Sequence, residues 1–237
     1  MSAAAGLQEK VRELGPWFHD LQLGGVSTAP EHPLGGFLQN LWSLVMPAFP
    51  ADMRGLSVLD IGCNAGFYSL KLHARGARVT GIDHDERYLA QARFAAEWLG
   101  VDIEYRQLDA YDADLLGRTF DYVLFMGVLY HLRHPLLALD KVARLPRRRL
   151  IFQSMIRGPA GKFSPQADYP IEADAAFDEP GFPAMYFIER SYAGDPTNWW
   201  IPNAPCIEAM LRSAGLRIDA HPAREVYFCS RSDPGVT

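Results

Sequence analysis

The sequence predicts an α/β fold in which a mostly parallel, seven-stranded sheet carries helices on both faces. Between residues 56 and 154, apolar strand-like runs alternate with helical segments, which is the pattern of βαβ units. A glycine-containing turn joins the first strand to its helix, and a C-terminal helix precedes two strands that we expect to pair antiparallel. With 237 residues, of which 49% are hydrophobic, the chain is large enough for one such domain and too short for two.

An N-terminal arm precedes the predicted sheet. It contains a helix over 4–14, a loop rich in Gly and Pro over 15–36, and a second helix over 37–46. We expect the arm to fold over the edge of the sheet where ligands bind. The predicted segments of this single domain are the arm (1–50), the core (51–155), a lid insertion (156–202) and a C-terminal helix with a strand pair (203–237).

The first strand, 57–61, runs into a turn with the pattern Asp60-x-Gly62-x-Asn64-x-Gly66. Glycines lack Cβ, so the chain can bend sharply, and the following helix begins with its positive dipole end at the same point. A dinucleotide fingerprint needs glycine where this chain has Asn64, which disfavours a nicotinamide dehydrogenase. The spacing instead resembles motif I of class I S-adenosylmethionine methyltransferases. This resemblance implies a Rossmann-like fold and cofactor contacts at these four positions.

Acidic residues also occur at the end of the next strand and shortly after the one that follows it. Asp83 ends the strand 78–83, where a carboxylate can accept hydrogen bonds from both ribose hydroxyls of an adenosine. After a helix over 86–99, the strand 103–106 leads to Asp109 and Ala110, where an acid resembles the adenine contact of the same family. The alternative interpretation is that Asp60 and Asp83 cap helix N-termini and that the glycines are ordinary turn residues.

The fourth strand, 122–126, ends at Met126, a further predicted cofactor contact, and Tyr130 and His131 follow it. They therefore lie at the carboxyl edge of the sheet, where ligands bind in such folds. The imidazole of His131 titrates near neutral pH, which suits a base that accepts a hydroxyl proton. A turn histidine that fixes the loop before Pro135 is an equal alternative. Tyr130 either donates a hydrogen bond into the pocket or packs beneath the lid.

Pro135 begins a helix that we expect to end at residue 144, and residues 150–153 form the fifth strand. The three arginines at 147–149 are interpreted as a solvated lip before that strand. The insertion 156–202 is rich in Pro, aromatic and acidic residues, and a connection of this length usually covers an active site. Asn203 is typical of a helix N-cap. The last predicted elements are a helix over 204–214 and strands over 216–220 and 225–230.

Composition limits the classes of partner. The formal net charge of −5 and pI of about 5.8 provide no overall positive field for a polyanion. Three cysteines without motif spacing suit a reducing compartment, and no run of about 18 uncharged apolar residues occurs. We therefore expect a cytoplasmic protein without membrane insertion, and a tRNA partner is disfavoured because few cations are available to release counterions from its phosphates.

Two more segments, 126–135 with Gly-Val-Leu-Tyr-His and 198–202 with Asn-Trp-Trp-Ile-Pro, are similar to those of the CmoB group, which completes 5-oxyacetyluridine at the tRNA wobble position. That group uses carboxy-S-adenosylmethionine, and the resemblance implies that Tyr130 and Arg224 hold its extra carboxylate. The group's clamp lysines have no counterpart in the arm, since no lysine occurs between Lys10 and Lys71, and we expect no counterpart of the group's long N-terminal extension. A single arginine leaves part of the desolvation cost of a buried carboxylate uncompensated, which favours ordinary S-adenosylmethionine.

Several side chains are candidates for the acceptor site. His19 and His32 of the arm could line it, although both are equally well explained as loop histidines. Trp200 could close the pocket over a flat acceptor, or it could anchor the lid. Arg224 could bind an anionic acceptor, or it could form a surface ion pair. His131 and His134 lack an acidic partner nearby in sequence, so no metal is predicted.

The sequence therefore predicts a methyltransferase that moves a methyl group from S-adenosylmethionine to a small molecule, with a hydroxyl oxygen as the favoured acceptor. Two rivals stay open. One is a tRNA wobble-uridine methyl or carboxymethyl transferase, and the other is a non-catalytic partner protein that binds S-adenosylmethionine.

Overall fold

The computed structural model describes residues 3–31, 34–159, 161 and 163–232. His32, a candidate for the acceptor site, lies outside the described residues. The α-helices within these ranges are α1 (Ala3–Leu14), α2 (Phe37–Val45), α3 (Phe67–His73), α4 (Glu86–Leu99), α5 (Pro135–Val142) and α6 (Ala204–Ser213). The strands are β1 (Gln22–Leu23), β2 (Val26–Ser27), β3 (Ser57–Ile61), β4 (Arg78–Asp83), β5 (Glu104–Gln107), β6 (Phe120–Met126), β7 (Pro146–Gln153), β8 (Met185–Phe187), β9 (Trp200–Pro202), β10 (Leu216–Ala223) and β11 (Val226–Arg231).

Seven strands form the central sheet in the order β10-β11-β7-β6-β3-β4-β5. Strand β3 pairs in parallel with β4 and β6, and β6 pairs in parallel with β7. Strand β11 runs antiparallel to both of its neighbours. The predicted mostly parallel, seven-stranded fold with an antiparallel C-terminal pair is confirmed.

Alternate residues of β3 point to opposite faces of the sheet, as the two-residue period of a strand requires. Val58 belongs to a hydrophobic cluster with Trp42 of α2, whereas Leu59 belongs to a second cluster with Leu139 of α5 and Ile207 of α6. Helices therefore cover both faces, and the carboxyl ends of the parallel strands are left at one edge of the sheet.

Strands β6 and β7 begin earlier than the sequence predicted. The predicted start of the fifth strand at residue 150 is wrong, because residues 147–149 lie within β7, although Arg147 and Arg148 are solvent-exposed as expected. The reason is electrostatic. Arg147 and Arg148 both pair with the carboxylate of Asp121, at 2.8 and 3.2 Å, and this carboxylate also accepts hydrogen bonds from Ser57. These charged partners extend the pairing beyond the apolar run that indicated the strand.

The N-terminal arm packs against the first half of the sheet. Trp17 donates to the carbonyl of Val11, and Gln91 of α4 donates to the carbonyls of Leu14 and Pro16 at 2.7 and 2.9 Å. The sequence predicted both arm helices but not the short antiparallel pair β1–β2 between them. This pair holds residues 22–27 in a hairpin beside α4.

The lid contains a 3₁₀ turn over Asp174–Asp178 and the antiparallel pair β8–β9, neither of which was predicted. Asn203, 1% exposed, joins this pair to α6. Its carboxamide oxygen accepts from the N–H groups of Cys206 and Ala184, and its amide nitrogen donates to the carbonyl of Phe182. The predicted N-cap is confirmed, and it also fastens the lid. Among the described residues, no helix is both long and apolar enough to cross a bilayer.

Candidate active site

The turn after β3 adopts the conformation that its glycines allow. Gly62 and Gly66 have φ of 68° and 83°, and Asn64, at the position of the missing middle glycine, has φ of 49°. Asparagine is one of the few residues other than glycine that enter this left-handed region readily. A Cβ at Gly62 would collide with Val128, and a Cβ at Gly66 would collide with the hydroxyl of Tyr105. Glycine is therefore required because the turn packs tightly against its neighbours.

Asp60, 3% exposed, is the penultimate residue of β3 and accepts a hydrogen bond from the Ser69 hydroxyl at 2.6 Å. Burial, together with the nearby charge of Asp83, raises the pKa of Asp60 to about 7. The N-cap residue of α3 is Gly66, but Asp60 accepts hydrogen bonds from both the hydroxyl and the backbone N–H of Ser69 in the first turn of this helix, so the alternative of a helix-capping role keeps support. Among the residues that the structure describes, no Lys or Arg forms an ion pair with this buried carboxylate.

Asp83 lies at the end of the neighbouring strand β4. Its two oxygens accept from the backbone N–H groups of Asn64 and Asp85 at 2.9 and 3.0 Å, and burial raises its pKa. The N-cap of α4 is Asp85 instead, whose side chain accepts from Arg87. Asp83 therefore ties the glycine turn to the end of β4, at the edge where a nucleotide would bind.

The other predicted cofactor positions surround this edge. Asp109 accepts from the N–H of Tyr111 at 2.9 Å and so caps the 3₁₀ helix Ala110–Leu116. Ala110 and Met126 are both buried, and Met126 pairs with Gln153 at the end of β6. Their contacts with an adenine ring stay predictions.

Tyr130 and His131 form a short 3₁₀ turn, Leu129–His131, directly beyond β6. Their rings lie 4.4 Å apart, and burial raises the pKa of Tyr130 and lowers the pKa of His131. The Nδ1 atom of His131 lies 2.9 Å from the hydroxyl of Thr197, and this hydroxyl donates to Asp195 at 2.6 Å. The sequence did not indicate Thr197 or Asp195, since 66 residues separate the imidazole from its partner.

His134, unlike His131, is exposed, and its backbone N–H donates to the hydroxyl of Tyr111 at 2.9 Å. The two histidines therefore have different partners. Within the described ranges, no group of three or more His, Cys, Asp or Glu side chains is arranged to hold a metal ion.

His19 of the arm is buried against the start of α3. Its Nδ1 accepts from the N–H of Phe67 at 3.2 Å, and its backbone carbonyl accepts from Thr28 at 2.7 Å. The imidazole thus satisfies one of the N–H groups at the helix N-terminus that lack a partner within the helix. His19 holds the arm to the helix that follows the glycine turn, and a contact with the acceptor stays a prediction.

Lid residues 199 and 200 are attached to the turn that carries His131. The N–H of Trp199 donates to the carbonyl of Tyr130 at 2.8 Å, and the Trp199 ring lies 4.4 Å from the guanidinium of Arg133. Trp200 donates to the carbonyl of Arg133 and contacts the ring of Phe187, whose centroid is 4.8 Å away. Both tryptophans therefore anchor the lid.

Arg224 lies exposed in the β10–β11 turn, where its backbone carbonyl lies 3.2 Å from Nε2 of His221. The neighbouring residue, Glu225, has more contacts with the start of the lid and with β7. The sequence did not indicate it. It accepts from Ile156, Arg157 and Gln153, at 3.2 to 3.3 Å. Its negative charge also contributes to the raised pKa of Tyr130. Glu225 therefore fixes the start of the lid beside the predicted pocket.

Comparison with known proteins agrees with this architecture. Residues 58–148 match the family model described as a methyltransferase domain. The ubiquinone biosynthesis O-methyltransferase of Pseudomonas syringae pv. tomato is 37% identical over 112 residues, which are 46% of this chain and 48% of that protein. The tRNA U34 carboxymethyltransferase of Pseudomonas paraeruginosa is 30% identical over 180 residues, which are 74% of this chain and 48% of that protein. The chain thus spans about half the length of these relatives.

Among solved structures, the N-terminal domain of EvdMO1 with SAH bound resembles this chain with a TM-score of 0.68 at 21% identity, and the match covers 98% of each chain. The predicted Rossmann-like fold is confirmed by this likeness. Over residues 58–148 the predicted methyltransferase domain is confirmed, and the predicted resemblance to the tRNA U34 carboxymethyltransferase group is confirmed over 180 residues.

Proposed function

We propose that this chain, whose domain is that of the class I S-adenosylmethionine-dependent methyltransferases, transfers a methyl group to a hydroxyl oxygen of a small molecule. In this proposal His131 is the general base. The chain forms a single domain, and its arm and lid close over the acceptor. The three unpaired cysteines, all buried, suit the reducing cytoplasm as its location.

The electrostatics of the turn fit the cofactor. Asp60 and Asp83 are buried carboxylates at adjacent strand ends, and no described Lys or Arg side chain forms an ion pair with either. S-adenosylmethionine carries a sulfonium and an ammonium against one carboxylate, so it is a net cation that would favour the charged form of both acids. In the proposal, the ribose and methionine portions of the cofactor bind at the edge of the sheet formed by Asp83, Gly62 and Gly66. When bound, the cofactor supplies an electrophilic methyl group.

The observation that carries the proposal is the partly buried imidazole of His131 directly beyond β6, at the same edge of the sheet. Burial lowers the pKa of His131, so its uncharged form predominates at neutral pH, and one-third of its side chain remains exposed. A protonated hydroxyl is a poor nucleophile, and a base that accepts its proton contributes typically about 10²–10⁴-fold to the rate. The relatives named as O-methyltransferases support oxygen as the acceptor atom.

Methyl transfer from S-adenosylmethionine to a panel of small phenols and aliphatic alcohols tests this function. We expect His131→Gln to lower kcat by about 10²–10⁴-fold on the accepted compound while the Kd for S-adenosylmethionine stays within about threefold. His134→Gln is the matched control, because its imidazole lies in the same loop but is exposed, and it should leave kcat unchanged. Full activity of His131→Gln would contradict the assignment of the base.

A second candidate is transfer to a tRNA wobble uridine, which the alignment over 180 residues supports. Its carboxylated cofactor would bring another negative charge toward Tyr130, where Glu225 already contributes one. Arg224, the arginine that the resemblance assigns to that carboxylate, is exposed. These charges favour plain S-adenosylmethionine. Transfer to undermodified tRNA from the carboxylated cofactor, with no transfer to small hydroxyls, would reverse this preference.

A further inference from the structure

The lid meets the turn after β6 through a chain of three polar side chains. The hydroxyl of Thr197 lies 2.9 Å from Nδ1 of His131 and 2.6 Å from Oδ1 of Asp195. The same Asp195 oxygen accepts from the backbone N–H of Thr197 at 2.7 Å, and its other oxygen lies 3.8 Å from Nδ1. The adjacent bond from the Trp199 N–H to the Tyr130 carbonyl keeps the two segments in register.

The order of the protons in this chain follows from the chemistry of its groups. A threonine hydroxyl has one proton, and an ionised carboxylate only accepts hydrogen bonds. At 2.6 Å the hydroxyl of Thr197 must donate to Asp195, so it offers a lone pair to His131. Nδ1 must then carry a hydrogen, since two lone pairs would otherwise face each other at 2.9 Å. In the neutral imidazole this leaves the lone pair on Nε2.

We propose that Thr197 and Asp195 are positioning residues that hold His131 in the tautomer whose Nε2 is free to accept a proton. This inference rests on the proposed function, in which His131 is the base. The acceptor O–H bond then breaks as an Nε2–H bond forms. The acceptor oxygen gains the methyl group, and the electron pair of the broken C–S bond stays on sulfur. The lid residue Asp195 faces the imidazolium that results.

The charged and titratable groups around His131 determine how its protonation responds to substitution. Burial lowers the pKa of His131, Asp195 of the lid and a backbone hydrogen bond of Thr197 raise it, and electrostatic interaction with His84, beyond β4, lowers it further. The phenol of Tyr130 packs on the ring but stays uncharged, because its pKa is raised. Among these side chains, Asp195 is the one that favours the charged form of His131.

Tautomers are measured directly by two-bond ¹H–¹⁵N correlation spectra of protein labelled at the imidazole nitrogens, with the His131 signals identified by their loss in His131→Gln. We expect the Nδ1–H form in the wild type above the pKa of His131. Thr197→Val should relax to the Nε2–H form that free histidine prefers, whereas Thr197→Ser, which keeps the hydroxyl, should retain the wild-type form. Asp195→Asn should move the pKa of His131 further below its usual value.

Activity and cofactor binding complete the test. On any accepted hydroxyl compound, Thr197→Val should lower kcat at least about tenfold and shift the pH profile, while the Kd for S-adenosylmethionine stays unchanged. An Nε2–H form in the wild type, or the same tautomer in Thr197→Val as in the wild type, would overturn the inference. Failure of the proposed function would look different, because His131→Gln would then remain active while the tautomer result stood.

Discussion

Replacing Asp60 with asparagine tests whether the buried carboxylate at the end of β3 is kept in place for a cationic ligand. Asparagine has nearly the same shape, and its oxygen can still accept the hydrogen bond from Ser69. The substitution therefore removes the titrating charge with little change in packing. Any pH-dependent difference between the two proteins reports the cost of ionising this group.

The magnitude follows from the raised pKa. Burial moves the pKa of Asp60 from 3.8 to about 7, and at about 1.4 kcal/mol per pKa unit this corresponds to about 4 kcal/mol. Between about pH 4 and 7 the folded protein holds a proton that the unfolded chain has released. The free energy of unfolding contributed by this residue is therefore fully present below about pH 4 and falls as the pH rises through that window.

Urea unfolding of the ligand-free protein from pH 4.5 to 8.5 measures this dependence. We expect Asp60→Asn to match the wild type near pH 4.5 and to be more stable by about 2–4 kcal/mol at pH 8. Ser69→Ala is the opposite control. It keeps the carboxylate and the backbone N–H of residue 69 but removes the hydrogen bond from the Ser69 hydroxyl, so it should be less stable than the wild type at pH 8.

The same variants connect stability to function. Asp60→Asn should bind S-adenosylmethionine at least about tenfold more weakly at pH 8, because the charge that complements the cation is gone. Wild-type binding should weaken below pH 7 as Asp60 takes up its proton. Parallel curves of stability against pH for Asp60→Asn and the wild type would refute the reasoning, since they would mean that ionisation of Asp60 costs nothing.

Two further predictions concern the same edge of the sheet. By isothermal titration calorimetry, Asp83→Ala should raise the Kd for S-adenosylmethionine at least about 100-fold, which corresponds to about 2.7 kcal/mol. Substitution of the exposed Arg224 by alanine should leave this Kd within about twofold. Equal effects of the two substitutions would exclude Asp83 as a ribose ligand. In urea unfolding, Gly62→Ala should lower the free energy of unfolding by about 3 kcal/mol, because its Cβ would meet Val128. Gly100→Ala is the control and should lower it by about 1 kcal/mol, because Gly100 has a similar φ of 65° but open space around it. Similar losses at both glycines would show that Val128 moves aside at little cost.

The local signals in the sequence were sufficient for the sheet and for the turn that carries the cofactor edge. Gly62 and Gly66 indicated a sharp turn, and Asn203 indicated a helix start, because these preferences depend on a residue and its immediate neighbours. Strand and helix periodicity predicted the order in which the strands and helices of the sheet follow one another along the chain. It did not give the pair β8–β9, whose three-residue strands are too short to show a period.

Only the tertiary structure decided which groups meet at the site. The sequence predicted His131, but its partners Thr197 and Asp195 lie more than 60 residues away in a lid without a sustained helix or strand period. Likewise Asp60 was recognisable as an acid in a motif, whereas its raised pKa depends on burial among elements that the chain brings together from a distance. Residue type and local spacing determine backbone conformation and candidate chemistry. Proton positions and charge balance depend on long-range packing, which the sequence alone did not reveal.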